Sequence, residues 1–343
     1  MLRAMVKKIG THNGVFHCDE ALACYLLKVL PEFKDAEIIR TRDEKVLESC
    51  DVVVDVGGIF DPEKFRFDHH QREFNESMKS LSGGKYPWTT KLSSAGLVYY
   101  HFGERIIAEL LKRKADDKLV GTIFMKTYEH LIEEIDAIDN GISICPDDMK
   151  KYHITTHLSA RLGRLNPTWL NPEQDTDQIF PQAVALAGSE FFDRVNFYGN
   201  VWWPAKAIVV EAFEKRFQIH ESGEILELPK SGCPWKEHLY DVEREQGIEG
   251  VAKFVIYTDT NGKWRVQGIP IAQGSFANRV PLLEAWRGLR DEELSKRSGI
   301  PGCVFVHTSG FIGGNTTREG ALEMAAVTLE HAHAKNDLME KKT

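Results

Sequence analysis

Asp51-Val52-Val53-Val54-Asp55-Val56-Gly57-Gly58, followed by Asp68-His69-His70, is the stretch that decides the fold. A run this rich in valine reads as a central parallel strand buried on both faces. An aspartate ending such a strand is held at the carboxyl edge of the sheet, where open α/β folds place their ligands. Adjacent histidines have no packing advantage over one, and imidazole beside carboxylate suits Mn²⁺, Fe²⁺ or Zn²⁺ better than Ca²⁺. Taken singly, Asp55 also reads as the opening of the Gly57-Gly58 turn, and the histidine pair as a polar surface turn. The neighbouring segments decide between these readings.

Toward the amino terminus, Val6-Lys7-Lys8-Ile9-Gly10-Thr11-His12 reads as a short strand running into Asn13-Gly14-Val15-Phe16-His17-Cys18-Asp19-Glu20. Residues Ala21 to Leu30 are mostly strong helix formers, apolar on most faces, and Pro31 stops them. His12, His17 and Asp19 therefore share a strand-to-helix turn. Asp19 alone is equally a helix cap, but three such residues within so short a span need more than capping. The topology lets Asp55 and Asp68-His69-His70 share a crevice with them. Two divalent ions about 3.5 to 4 Å apart need a bridging group, and Asp55, on the innermost strand, is the choice for it. A helical pattern from about Leu119 ends in Glu133-Glu134-Ile135-Asp136-Ala137-Ile138-Asp139-Asn140-Gly141. Asp136 and Asp139 share one helix face, and Asn140-Gly141 supplies a left-handed cap. Acidic groups there oppose the helix dipole, so a metal, or a nearby Lys or Arg, has to compensate them.

The order His12, His17-x-Asp19, Asp55, Asp68-His69-His70 and a late Asp resembles the DHH phosphoesterase superfamily. Within it, Thr-His-Asn-Gly-Val-Phe-His-Cys-Asp-Glu, Phe-Asp-His-His-Gln, Ser-Ser-Ala-Gly-Leu-Val-Tyr at 93–99, Glu-Ile-Asp-Ala-Ile-Asp-Asn-Gly and Phe-Val-His-Thr-Ser-Gly-Phe-Ile-Gly-Gly-Asn at 305–315 resemble the MYG-type exonuclease branch. The resemblance implies two divalent cations, Mn²⁺ or Mg²⁺. By it, His12 and His17 hold one ion, Asp19 and His69 the other, Asp55 bridges them, and Asp136 or Asp139 completes the second site. It also implies that His70 faces the scissile phosphate and that Asp68 is a ligand or orients a histidine. Most superfamily members have an aspartate where His17 stands, a swap that removes negative charge from the first site and adds a softer ligand.

In the carboxyl-terminal half, Val251–Tyr257 and Trp264–Ile269 read as strands joined by the hairpin signal Asp259-Thr260-Asn261-Gly262. Ser309-Gly310-Phe311-Ile312-Gly313-Gly314-Asn315 after Phe305-Val306-His307 predicts a glycine-rich turn whose N–H groups approach an anion. Thr316 and Glu319, at capping-box spacing, predict a helix to about His331. With Arg265, Arg279, His307 and Arg318 nearby in sequence, the expectation is a phosphate cradle of these residues with Gly313 and Gly314. Nucleobases stack on aromatic rings at about 1 to 3 kcal/mol each; Trp264, beside Arg265, is the tryptophan best placed for this.

A chain of 343 residues predicts two domains: a DHH-like catalytic domain over 1–180, a connecting helix over 181–200 and a substrate-binding domain over 201–343. The fold class expected is α/β, a mainly parallel sheet with helices on both faces plus a smaller α/β domain. Net charge of −8 argues against tight nonspecific binding to long duplexes and favours RNA or short single-stranded oligonucleotides as partners. Six cysteines without paired spacing point to a reducing compartment, and no apolar run is long enough to span a membrane. The first strand begins too early for a full mitochondrial presequence. The resemblance implies a nuclear or mitochondrial location, with the cytoplasm compatible and a homo-oligomer left open. The activity expected is a 3′-to-5′ exoribonuclease. The alternatives are a pyrophosphatase, a cyclic-dinucleotide phosphodiesterase, or a nucleic-acid or metal-binding protein without catalysis.

Overall fold

The computed structural model describes residues 6–229 and 231–340, which divide into two compact units, Met1–Asn200 and Val201–Thr343. The chain is mixed α/β throughout. In the first unit the strands are β1 (Lys8–Thr11), β2 (Glu37–Arg40), β3 (Val52–Val54), β4 (Phe60–Asp61) and β5 (Arg66–Phe67). They form one sheet in the order β2-β1-β3-β5-β4, parallel except for the edge pair β4–β5. All three valines of β3 are buried, as a strand covered on both faces requires. One face packs on α1 (Cys18–Val29). The other packs Val53 against Leu47 and Cys50, beside the short helix α2 (Glu44–Glu48). Gly10, opposite Val53 in β1, has to lack a side chain, because a Cβ there would lie 3.0 Å from Leu47 and 3.1 Å from the Cys50 sulfur.

Helix α1 is buried along most of its length and ends before Pro31. It packs against α3 (Ser94–Leu111) and a later long helix of the same unit, whose Gly188 lets Tyr25 approach so closely that a Cβ would fall 2.1 Å from the ring. The helical pattern expected from Leu119 to Asn140 is interrupted. It consists of α4 (Lys118–Thr127), a π turn Tyr128–Ile132 and α5 (Glu133–Asp139), and π turns of this kind re-aim the residues that follow. The stretch read as a connecting helix over 181–200 lies mostly in α6 (Thr176–Phe197), which buries Phe180, Ala187 and Phe191 within the first unit against α1. Its apolar face has a core to cover, so it is part of that unit and not a spacer.

The second unit contains β6 (Ile225–Glu227), β7 (Phe254–Thr258), β8 (Trp264–Gly268), β9 (Cys303–Val306) and β10 (Ile312–Asn315). Their order is β6-β7-β8-β10-β9, with only β6–β7 parallel. Consecutive residues of β7 belong to different cores: Ile256 packs with Val266, Leu282 and Met324, while Val255 packs with Val209, Phe213 and Leu239. The period-two alternation of a strand thus covers both faces. Asp259 closes the β7–β8 hairpin by accepting from the N–H groups of Asn261 (2.8 Å) and Lys263 (2.9 Å). The last long helix is α7 (Arg318–Glu340), capped by Thr317, whose Oγ1 accepts from Gly320 N, and not by Thr316. No described helix is long and apolar enough to cross a membrane.

Candidate metal centre

Asp55 follows β3 with φ of +57°, a left-handed conformation uncommon for a residue with a side chain. Such strain persists where the surroundings fix it, and here it turns the carboxylate between two groups of residues. Its Oδ2 lies 3.4 Å from His12 Nε2, and its Oδ1 lies 3.4 Å from His69 Nε2. On the first side stand His12, His17, Glu20 and Asp55; on the other, Asp19, His69 and Asp139, with His70 also reaching toward Asp55. In each of these groups one ligand atom per residue falls within 4.8 Å of the others.

Both buried histidines are oriented by a carbonyl. His12 Nδ1 donates to Asn13 O (3.2 Å) and His69 Nδ1 to Asn140 Oδ1 (3.3 Å), so each presents Nε2 to the carboxylates. Asn140 is itself held, donating to Lys91 O and Asp136 O. An imidazole with one nitrogen fixed in this way is the usual arrangement of a metal ligand. Burial would lower the pKa of both rings, but the Asp55 and Glu20 carboxylates push His12 up to about 10, and those of Asp139, Asp55 and Asp19 push His69 up to about 11. Burial opposes ionisation of Asp55, yet His12 and His69 hold it down at about 2. Asp19 is pushed well above its ordinary value by burial and by the charges of Asp55 and Asp139.

Asp19 caps a helix, although not its own. Its two oxygens accept from the N–H groups of Ser94 (2.9 Å) and Ala95 (2.6 Å) at the start of α3. Glu20, which the sequence reading passed over, is fully buried. Its carboxylate accepts from His17 N (2.9 and 3.0 Å) and lies 3.2 Å from His12 Nε2. The only sequence signal for it is a Glu three residues after a helix-opening His, and that spacing has a sufficient explanation in capping.

The alternatives Asp136 and Asp139 separate cleanly. Asp139 Oδ2 is 3.1 Å from His69 Nε2. Asp136 is fully buried and turned elsewhere, accepting from Ser93 N (2.9 Å), Ser93 Oγ (2.8 Å) and Tyr128 Oη (3.0 Å). Burial pushes its carboxyl up to about 7. Asp68 stands outside the groups as well. Its Oδ1 accepts from His70 Nδ1 (2.8 Å) and His70 N (3.1 Å), and its Oδ2 from Gly58 N (2.6 Å). This pairing raises the His70 pKa above its ordinary value. Cys18 is buried, and burial pushes its thiol up, so it stays protonated.

The residues fit divalent cations. Among the described residues, Asp55 Oδ1 and His69 Nε2 are buried without a hydrogen-bond partner, an expensive state for polar atoms unless something charged completes them. Four carboxylates, of Asp19, Glu20, Asp55 and Asp139, converge here, and buried charges are either paired or coordinate metals. A cavity of about 580 Å³ opens over them, lined among others by His12, His17, Arg42, Asp55, His70 and Asp139.

In the second unit the expected cradle is not assembled. Gly313 and Gly314 lie in β10 and not in a turn; the turn is made at Gly310, with φ of +74°. The two strand glycines make room, since a Cβ on Gly314 would lie 2.6 Å from Arg265 Nη1 and one on Gly313 would lie 2.9 Å from Leu282. Arg279 turns inward to Glu243, with both contacts at 2.7 Å, and Arg318 binds Glu227 at 2.9 and 2.5 Å. Arg265 pairs with Asp259 (2.5 Å) while its guanidinium sits 5.3 Å from the Phe305 ring. His307 is exposed, with Nδ1 against Ser309 Oγ (2.9 Å). Trp264 is half-buried and packs against the core that contains Val266, and Trp202, Trp235 and Trp286 are buried.

Fold and site together define an α/β protein with a buried carboxylate–histidine centre of metal-binding type. The chain belongs to the MYG1 exonuclease family: the model of that family, described as "Uncharacterised protein family (UPF0160)", matches residues 8–329. MYG1 exonuclease of Bos taurus is 59% identical over 322 residues, covering 94% of this chain and 84% of that protein. MYG1 exonuclease of Homo sapiens is 58% identical, with 94% and 85% covered. The MYG1 protein of Saccharomyces cerevisiae is 44% identical, with 95% and 96% covered. A crystal structure of exonuclease RecJ bound to manganese aligns with 12% identity and a TM-score of 0.26, covering 96% of this chain and 90% of that one, a similarity too slight to bear on fold or site.

Proposed function

We propose that this chain is a metal-dependent phosphodiesterase that trims RNA or short oligonucleotides from the 3′ end. The observation that carries the reading is Asp55, whose two oxygens face His12 and His69 separately at 3.4 Å each. In this reading His12, His17, Glu20 and Asp55 would hold one divalent cation, and Asp19, Asp55, His69 and Asp139 a second, Mn²⁺ or Mg²⁺. Bound there, divalent cations would supply Lewis-acid polarisation of a phosphate and activation of water. The protein's part is to fix charge and exclude alternatives. Asp68 holds His70 by Nδ1, which leaves Nε2 for a phosphate oxygen or for the leaving group. In the second unit, His307 is exposed and is our choice for an oligonucleotide contact. The names of the curated relatives support an exonuclease.

Product-length analysis tests this directly. With Mn²⁺, a 5′-labelled oligoribonucleotide shortens through a ladder, a 3′-labelled one releases labelled mononucleotide from the first time point, and chelator stops both. Unchanged RNA at high protein concentration refutes the hydrolase, and a ladder from the 3′-labelled strand reverses the polarity. His70→Gln is expected to lower kcat about 10²-fold with Mn²⁺ affinity little changed. Parallel loss of Mn²⁺ binding would make His70 a ligand instead.

A further inference from the structure

Among the described residues lining the cavity over the carboxylates, Arg42 is the only lysine or arginine. It is exposed, and among the described residues no carboxylate lies within ion-pair distance of it. Its hydrogen bonds run from Nη1 alone, to the backbone carbonyl of Asn13 and to Asn13 Oδ1, the latter at 2.7 Å. The Nε–Nη2 edge is left open. That edge is the fork with which a guanidinium takes two oxygens of one phosphate.

The anchor also fixes where this fork stands. Asn13 O accepts from Arg42 Nη1 and from His12 Nδ1, the latter at 3.2 Å. His12 turns its other nitrogen, Nε2, to Glu20 and Asp55. Arg42 and His12 thus share the Asn13 carbonyl, and it is His12 that reaches on to Glu20 and Asp55. His70 approaches Asp55 through Oδ1, the oxygen that faces His69, whereas Arg42 is tied to the His12 side. A phosphate attacked over Asp55 lies by His70. Arg42, tied to the His12 side, would then meet a neighbouring phosphate of the strand and not the one by His70.

We propose that Arg42 binds a substrate phosphate adjacent to the one attacked, and so selects substrates carrying at least two phosphates in a chain over single-phosphate diesters. This rests on the phosphodiesterase reading above. The geometry explains why a lone unneutralised guanidinium is held at the rim of an otherwise acidic cavity. Ordinary surface arginines need no such double anchor.

The experiment compares a tetraribonucleotide with bis(p-nitrophenyl) phosphate, which has a single phosphate, in Mn²⁺. Arg42→Ala is expected to raise KM for the tetranucleotide about 10- to 100-fold, as loss of charge-assisted hydrogen bonds does, with kcat nearly kept. The loss on the single-phosphate ester is expected to be at least about tenfold smaller, the Mn²⁺ titration to be unmoved, and Arg42→Lys to recover only part of the KM. Equal losses on both esters, a weakened Mn²⁺ titration, or no change at all each overturn the assignment. If the wild-type protein cleaves neither ester, the hydrolase reading falls by itself. Arg42 is then judged by binding of the intact tetranucleotide: weaker binding to Arg42→Ala supports the phosphate contact, and equal binding overturns it.

Discussion

Asp55→Asn is expected to lower turnover by at least about 10³-fold, on the order of 4 kcal/mol of transition-state stabilisation, while the protein keeps its fold. Asparagine tolerates the left-handed backbone that Asp55 adopts at φ +57°, and it has the same shape, so the loss is one of charge and of one acceptor. The amide offers a single oxygen. Whichever side it faces, an NH₂ group then points at His12 or at His69, across the 3.4 Å gaps that the carboxylate now spans with an oxygen on each side. Manganese stoichiometry should fall below that of the wild-type protein together with kcat. Alanine is the poorer test, because a side chain without local polar contacts is strained at positive φ. Activity within about tenfold of wild type would remove Asp55 from the bridging position.

Why Asp55 was legible in the sequence is a matter of topology. A valine run ending in Asp-Val-Gly-Gly leaves few options for the aspartate, and the His12, His17, Asp19 and Asp68-His69-His70 segments each end a strand or open a helix of the same sheet. Glu20 escaped because it does two things at once. Its bonds to His17 N are those of an ordinary helix cap, and only the fold reveals that His12 Nε2 lies 3.2 Å from the same carboxylate. Asp136 and Asp139 could not be told apart by spacing alone. In the fold Ser93 and Tyr128 take up Asp136 while Asp139 faces His69, and neither these contacts nor the π turn before α5 can be read from periodicity.

The second unit was less legible, for a different physical reason: a guanidinium is visible in sequence but its partner is not. Arg279→Ala is accordingly expected to destabilise the protein by about 3 to 5 kcal/mol, the usual result of removing one partner of a buried pair. Both Arg279 contacts to Glu243 are 2.7 Å, the side chains are 9% and 1% exposed, and Arg279 Nη1 also donates to Ala252 O. Glu243 in turn accepts from Gly250 N and Ala252 N, so the pair fastens the approach to β7 to the helix Lys236–Gln246. Removing the cation strands a buried carboxylate. Replacing both residues, Arg279→Met with Glu243→Gln, should recover part of the loss, since Gln can still accept from a backbone N–H and no charge remains buried. Urea unfolding of the three proteins measures this. Had Arg279 belonged to a phosphate cradle, Arg279→Ala would unfold like wild type and instead weaken oligonucleotide binding, and that pair of results would reverse the assignment made from its contacts.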